Sequence, residues 1–219
     1  NALSAIGATT AISSLVTTFA FGLNGGFGIV LAQSFGEKNF SKIKQVFAKM
    51  VVINIVVSFI IAVLSLFLIK PALRVMNTPV SDFKGAYDYI IVLLVCIFAT
   101  MIYNLEATAL RAVGDSKTPV YFLIFATFLN LILDYAFIKY LKMGISSTAI
   151  ATIISQSFSA FLCFIVIKNK FEILHLSKEN FKRNKILLRT MLSAGFTMAF
   201  MNSIFSIGSV IMQSAINDL

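Results

Sequence analysis

Asn130 and Asp134 lie four residues apart in FLNLILDYAF, inside an apolar run over residues 119–138. Four residues is about one helical turn, so an amide and a carboxyl project from one face of a helix. A carboxyl in hydrocarbon costs roughly 2.5–3.5 kcal/mol on insertion scales, so a partner or a function should offset it. At 1.5 Å per residue, Asp134 lies about 6 Å and Asn130 about 12 Å from the end of that run, and Thr152 about 12 Å from the start of the next. If the two runs are antiparallel helices, a carboxyl, an amide and a hydroxyl share one depth. Those groups can bind a proton or a small cation. The competing reading is that Asp134 snorkels to the interface and pairs with Lys139 or Lys142. Spacing alone leaves both open.

Other polar residues interrupt apolar sequence in the same way. Glu106 follows Asn104 and precedes Arg111, so it reads either as a carboxylate snorkelling toward that cation or as a functional acid. FGLNGGFG gathers Gly22, Gly25, Gly26 and Gly28 around Asn24. Gly22 and Gly26 form a small-xxx-small pair that admits a second helix closely, and the same cluster permits unwinding beside a substrate path. Asn24, Gln33 and Glu106 are the candidates for such a path. His175 is the single histidine, and Cys96 and Cys163 both sit within apolar runs. No metal site, disulfide framework or catalytic constellation can be built from these residues, so we expect no enzyme, no catalytic residue and no cofactor.

The elements that carry these groups follow from composition. Of 219 residues, 58% are hydrophobic and 12% charged, against about 25% charged in a soluble domain. With a mean hydropathy of +0.92, part of the solvent must be lipid. Six runs can each supply the roughly 20 helical residues that a bilayer requires: residues 8–33, 48–69, 89–110, 119–138, 144–167 and 190–216. They are continuously apolar, without the period-two alternation of a membrane barrel, so we expect an all-α polytopic membrane protein. The first run lacks the basic flank and the cleavage pattern of a signal peptide.

Basic residues orient the spans. Of 18 Lys and Arg, 13 fall in the alternate loops after the first, third and fifth runs. The richer side belongs in the cytoplasm. The loops at Asn39, Asp115 and Glu179 are then cytoplasmic and the Lys142 loop external, in the inner (cytoplasmic) membrane. The formal charge of +9 reflects loops facing an anionic leaflet, not nucleic acid. Residues 168–189 mix Phe171, Ile173, Leu174, Leu176 and Phe181 with charges. An amphipathic linker on the cytoplasmic surface fits that mixture and marks a boundary between two structural units. The outward placement of Asn1 leads us to expect an earlier span, and hence a fragment.

GIVLAQSFGEKN, LRAVGDSKTP, NLILDYAFI and GISSTAIATIIS occur in this order at helix ends that fit the derived orientation. Together they resemble signatures of the multidrug and toxic compound extrusion family of secondary transporters, over nearly the whole chain. That resemblance implies a twelve-helix transporter of two six-helix lobes. Residues 1–168 would hold helices two to six of the first lobe, 169–189 the interlobe linker, and 190–219 the first helix of the second lobe. It implies an antiporter coupled to H+ or Na+ that exports amphipathic or cationic, drug-like small molecules by alternating access, in contact with the lipid bilayer and the remaining helices. The asparagine and aspartate of helix five and the threonine of helix six correspond by motif to Asn130, Asp134 and Thr152, the cation-binding set. The chain departs from the pattern in two ways: helix seven holds no acidic residue before Asp218, and Thr197 stands where a proline is common. A flippase of lipid-linked oligosaccharide precursors is the alternative in the same superfamily, although no span carries a mid-membrane Arg or Lys for an anionic cargo.

Overall fold

The computed structural model describes residues 2–75, 80–140, 146–182 and 184–217, and the described residues contain helices and no strands. The seven helices are α1 (Ala2–Gly36), α2 (Phe40–Val75), α3 (Val80–Val95), α4 (Ile97–Ala112), α5 (Lys117–Lys139), α6 (Ser146–Lys170) and α7 (Lys185–Asn217). The apolar runs form helices because a chain in hydrocarbon must satisfy every backbone polar group internally. Four described helices are long and apolar enough to cross a membrane, and five such spans result when α3 and α4 are taken as one bent pair. The sixth expected span falls within α7. The Lys142 loop, expected on the external side, lies outside the described residues.

The third expected span departs from a single straight helix. It begins earlier, at Val80, and breaks at Cys96, where α3 and α4 meet at 44°. Neither proline nor glycine stands there, and both α3 and α4 pack against α1, α2 and α6. From Leu105 to Leu110 every residue of α4 is buried, which makes α4 the central helix. By contrast α5 buries only Pro119 and Ala126, and presents Phe128, Leu131 and Ile132 outward. Outward-facing apolar side chains of this size are what lipid contact requires.

Two turns show local chemistry at work. In LRAVGDSKTP, Gly114 takes φ +98° and the Asp115 amide donates to the Leu110 carbonyl at 2.9 Å, which closes α4. Asp115 then opens α5: its Oδ1 accepts from the Thr118 amide at 3.0 Å and its Oδ2 from the Thr118 hydroxyl at 2.6 Å. In the first turn, Asn39 Oδ1 accepts from the Lys42 amide at 3.0 Å and opens α2.

The basic stretch after α6, expected to be an amphipathic linker, is not one continuous helix. It folds back as two 3-10 turns, Glu172–Leu174 and Lys178–Phe181, against α2 and α6. Leu174 is fully buried, Phe171, Ile173 and Leu176 pack on the core, and Lys49 Nζ donates to the Lys182 carbonyl at 3.1 Å. Its apolar residues lack helical periodicity, so they reach the core through tight turns instead.

Candidate functional site

α5 and α6 pack side by side, and their facing polar residues meet. Asn130 Nδ2 donates to Thr152 Oγ1 at 3.4 Å, and Thr152 Oγ1 donates to the Thr148 carbonyl at 2.9 Å. The hydroxyl is thereby fixed, and the amide carbonyl of Asn130 remains as the acceptor not used in that bond. One turn further along α5, Asp134 is half-buried. Its Oδ1 is fully enclosed and has no hydrogen-bond partner among the described residues.

The pairing of Asp134 with Lys139 is not formed. Lys139 Nζ donates to the Tyr135 hydroxyl and lies 4.8 Å from the Tyr135 ring centre and 5.7 Å from that of Tyr140. Lys142 lies outside the described residues. One residue joins the site without having been expected, and a second stands on the same helix as Thr152. The Tyr89 hydroxyl of α3 lies within electrostatic reach of Asp134. Gln156, one turn along α6 from Thr152, has a buried Oε1 with no partner among the described residues. The spacing 152–156 was a signal for Gln156; Tyr89 stands on another span and gave none. A carboxylate, an amide carbonyl and hydroxyls form an oxygen-only set that suits a proton or a small hard cation.

The three candidates for a substrate path are placed differently. Asn24 and Asn54, both buried, exchange two amide hydrogen bonds of 2.9 Å each. Each also donates to the carbonyl four residues earlier, Ala20 at 3.1 Å and Met50 at 2.9 Å. The Asn24 side chain is therefore committed to holding α1 against α2. Gln33 is exposed near the end of α1. Glu106 is buried at 6% exposure, so it does not snorkel, and Arg111 instead donates from Nη2 to Thr108 Oγ1 at 3.1 Å. A groove of about 370 Å³ does open between α1 and α4, lined by Gly25, Gly28, Ala32, Thr108 and Arg111 among others.

The glycine pair of α1 faces α7. A Cβ on Gly22 would come within 2.7 Å of Ala199 Cα, and one on Gly26 within 2.3 Å of the Ala194 carbonyl oxygen. This is the close helix approach expected of small-xxx-small spacing.

Residues 1–136 match the model of the MatE family. The chain is 33% identical over 97% of its length to the probable multidrug resistance protein YpnP of Bacillus subtilis (strain 168), and covers 48% of that protein. It thus spans about half the length of the curated relatives it matches. Its fold is similar to an outward-facing multidrug resistance MATE family transporter of the MOP superfamily, with a TM-score of 0.89 at 22% identity over 97% of this chain and 47% of that one. An inward-facing transporter of the same description gives a TM-score of 0.87 at 22% identity over 94% and 47% of the two chains.

Proposed function

Since the chain belongs to the MatE family, we propose that it forms most of one lobe of an exporter for amphipathic or cationic small molecules, driven by H+ or Na+ exchange across the cytoplasmic membrane. The observation that carries this reading is the enclosed, unpartnered Oδ1 of Asp134 beside the Asn130–Thr152 bond. A buried carboxyl oxygen without a donor is costly unless a cation or proton occupies it in part of a cycle. Residues 1–168 form the lobe, 169–189 its connection, and α7 the first helix of the partner lobe. The loops at Asn39, Asp115 and Glu179 face the cytoplasm.

In this mechanism a cation arriving from outside binds Asp134, with Asn130 and Thr152 fixing its depth and Tyr89 bordering the site. Binding neutralises the carboxylate and removes the charge that holds a cationic cargo or shapes α5. The change in charge biases the two orientations of the lobes, and the cargo leaves outward. Comparable fold similarity to inward- and outward-facing relatives fits lobes that move largely as bodies.

Asp134→Asn tests the reading, because it keeps size and hydrogen bonding while removing the titratable site. In the full-length protein, drug efflux should be abolished with expression and folding near normal. Lower expression with unchanged efflux per folded molecule at every pH would show a helix anchor and overturn the proposal.

A further inference from the structure

Glu106 is the second carboxyl enclosed by the bundle, and the mechanism above does not use it. It sits on α4 about 9 Å from that helix's cytoplasmic end at 1.5 Å per residue, and is 6% exposed. Its Oε2 has no hydrogen-bond partner among the described residues. The face of α6 that packs inward repeats every fourth residue as Ser147, Ala151, Ser155, Ser159, Cys163 and Ile167, all buried. All but Ile167 are small, which lets α6 lie close against the central helix. Ser155 Oγ in this row is also buried and unpartnered, whereas Ser159 donates to the Phe122 carbonyl at 2.9 Å.

We propose that Glu106 is a second proton-binding site of this lobe, taking up and releasing a proton through the cytoplasmic end of the α4–α6 interface. The groups around it are accounted for element by element. On α6 the Cys163 thiol lies within electrostatic reach of Glu106. On α4 itself, Tyr103 donates its hydroxyl to the Pro119 carbonyl at 2.9 Å and Arg111 is turned to Thr108. Asp115, in the turn to α5, is bound to Thr118. From α2, Lys49 reaches the Lys182 carbonyl, and the side chains of residues 12–36 of α1 include no ionisable group. On α3, Tyr89 faces Asp134 and Tyr87 lies under Lys70. No described cation forms an ion pair with Glu106; those pairs are Lys42–Glu37 and Lys182–Glu179.

A carboxyl so placed has one small partner it can accept without rearranging the core, and that is a proton. Asp134 lies near the outer end of α5 and Glu106 near the cytoplasmic end of α4. The lobe therefore holds titratable carboxyls toward both membrane faces, with the hydroxyls of α6 between their depths. Coupling through Glu106 would add to exchange at Asp134 and does not depend on it.

Infrared difference spectroscopy of the full-length protein in lipid, across a pH jump, reads the site directly. A protonated-carboxyl C=O component belonging to Glu106 should appear in the wild type, be missing from Glu106→Gln, and persist in Asp134→Asn. Proton release on alkalinisation, followed with a pH indicator, should fall by about one per molecule in Glu106→Gln. An unchanged band and unchanged release in that variant overturn the proposal, as does a Glu106 band that persists at every pH. If Glu106→Gln does not fold, Cys163→Ala must shift the same band, and an unshifted band refutes the site. Loss of the Asp134 band alone would leave this inference standing and bear only on the exchange site.

Discussion

Gly26→Ala should destabilise the protein, whereas Gly25→Ala, one residue away on the same helix, should not. The added methyl at position 26 would lie 2.3 Å from the Ala194 oxygen, 2.5 Å from the Ala194 carbonyl carbon and 2.6 Å from Gly195 Cα. All three are backbone atoms, so no rotamer change relieves the clash. Restoring ordinary carbon contacts of about 3.5 Å requires α7 to retreat by about 1 Å. That retreat loosens Phe27, which lies beside Gly195. Overpacking of this kind costs about 1–3 kcal/mol. At position 25 nothing lies within 4 Å, so alanine adds only helix propensity, a gain of up to about 1 kcal/mol. The two variants differ by one methyl and share chain, helix and lipid, so their difference isolates the α1–α7 approach. Thermal unfolding of the full-length protein, followed by size-exclusion retention after heating, measures it. Equal melting temperatures for the two variants would refute the close approach of α7 to α1.

Asn24→Leu should cost about 1–3 kcal/mol by stranding the Asn54 amide, and the Asn24→Leu, Asn54→Leu double variant should recover much of it; thermal melts of the three proteins decide this. At Asp115, burial disfavours the carboxylate, but the Thr118 hydroxyl, the Thr118 and Lys117 amides and the Lys170 charge outweigh it and hold the carboxyl below its usual range. A depressed folded value means stability present above the unfolded value of about 3.9 and lost as pH falls through the folded one. Asp115→Ala should therefore cost about 1 kcal/mol at neutral pH, with the gap from wild type closing in acid melts below about pH 4. A cysteine at position 179, in a background lacking Cys96 and Cys163, should react with an impermeant maleimide in inverted vesicles; labelling in intact cells would reverse the topology.

Helices were legible because a span needs only length and apolarity, and the turn LRAVGDSKTP was legible because its chemistry is local. Gly114 and Asp115 act on atoms within five residues of themselves. Depth along two antiparallel helices is also arithmetic on sequence numbers, which is why Asn130 and Thr152 could be placed level before their 3.4 Å bond was seen. Rotation about a helix axis is not arithmetic of that kind. Asn24 was conspicuous, but its partner Asn54 stands thirty residues away on α2, and finding it requires the facing angle of both helices. The same limit hid Tyr89, and it hid the break at Cys96, where IIVLLVCIFAT offers no residue that bends a helix.

Glu106 shows the deeper reason. Five residues from Arg111 and near a helix end, it met every local condition for snorkelling. Snorkelling, however, needs a side of the helix that faces lipid or water along which the stem can run. α4 has none over residues 105–110, because α1, α2, α3, α5 and α6 all contact this helix. Its burial is a property of where α4 sits among its neighbours. A hydropathy run records how apolar a helix is, and an exposed helix such as α5 is about as apolar as a central one. Which carboxyl is enclosed is therefore decided by helix arrangement, and that is the level at which Asp134 and Glu106 part from the surface acids.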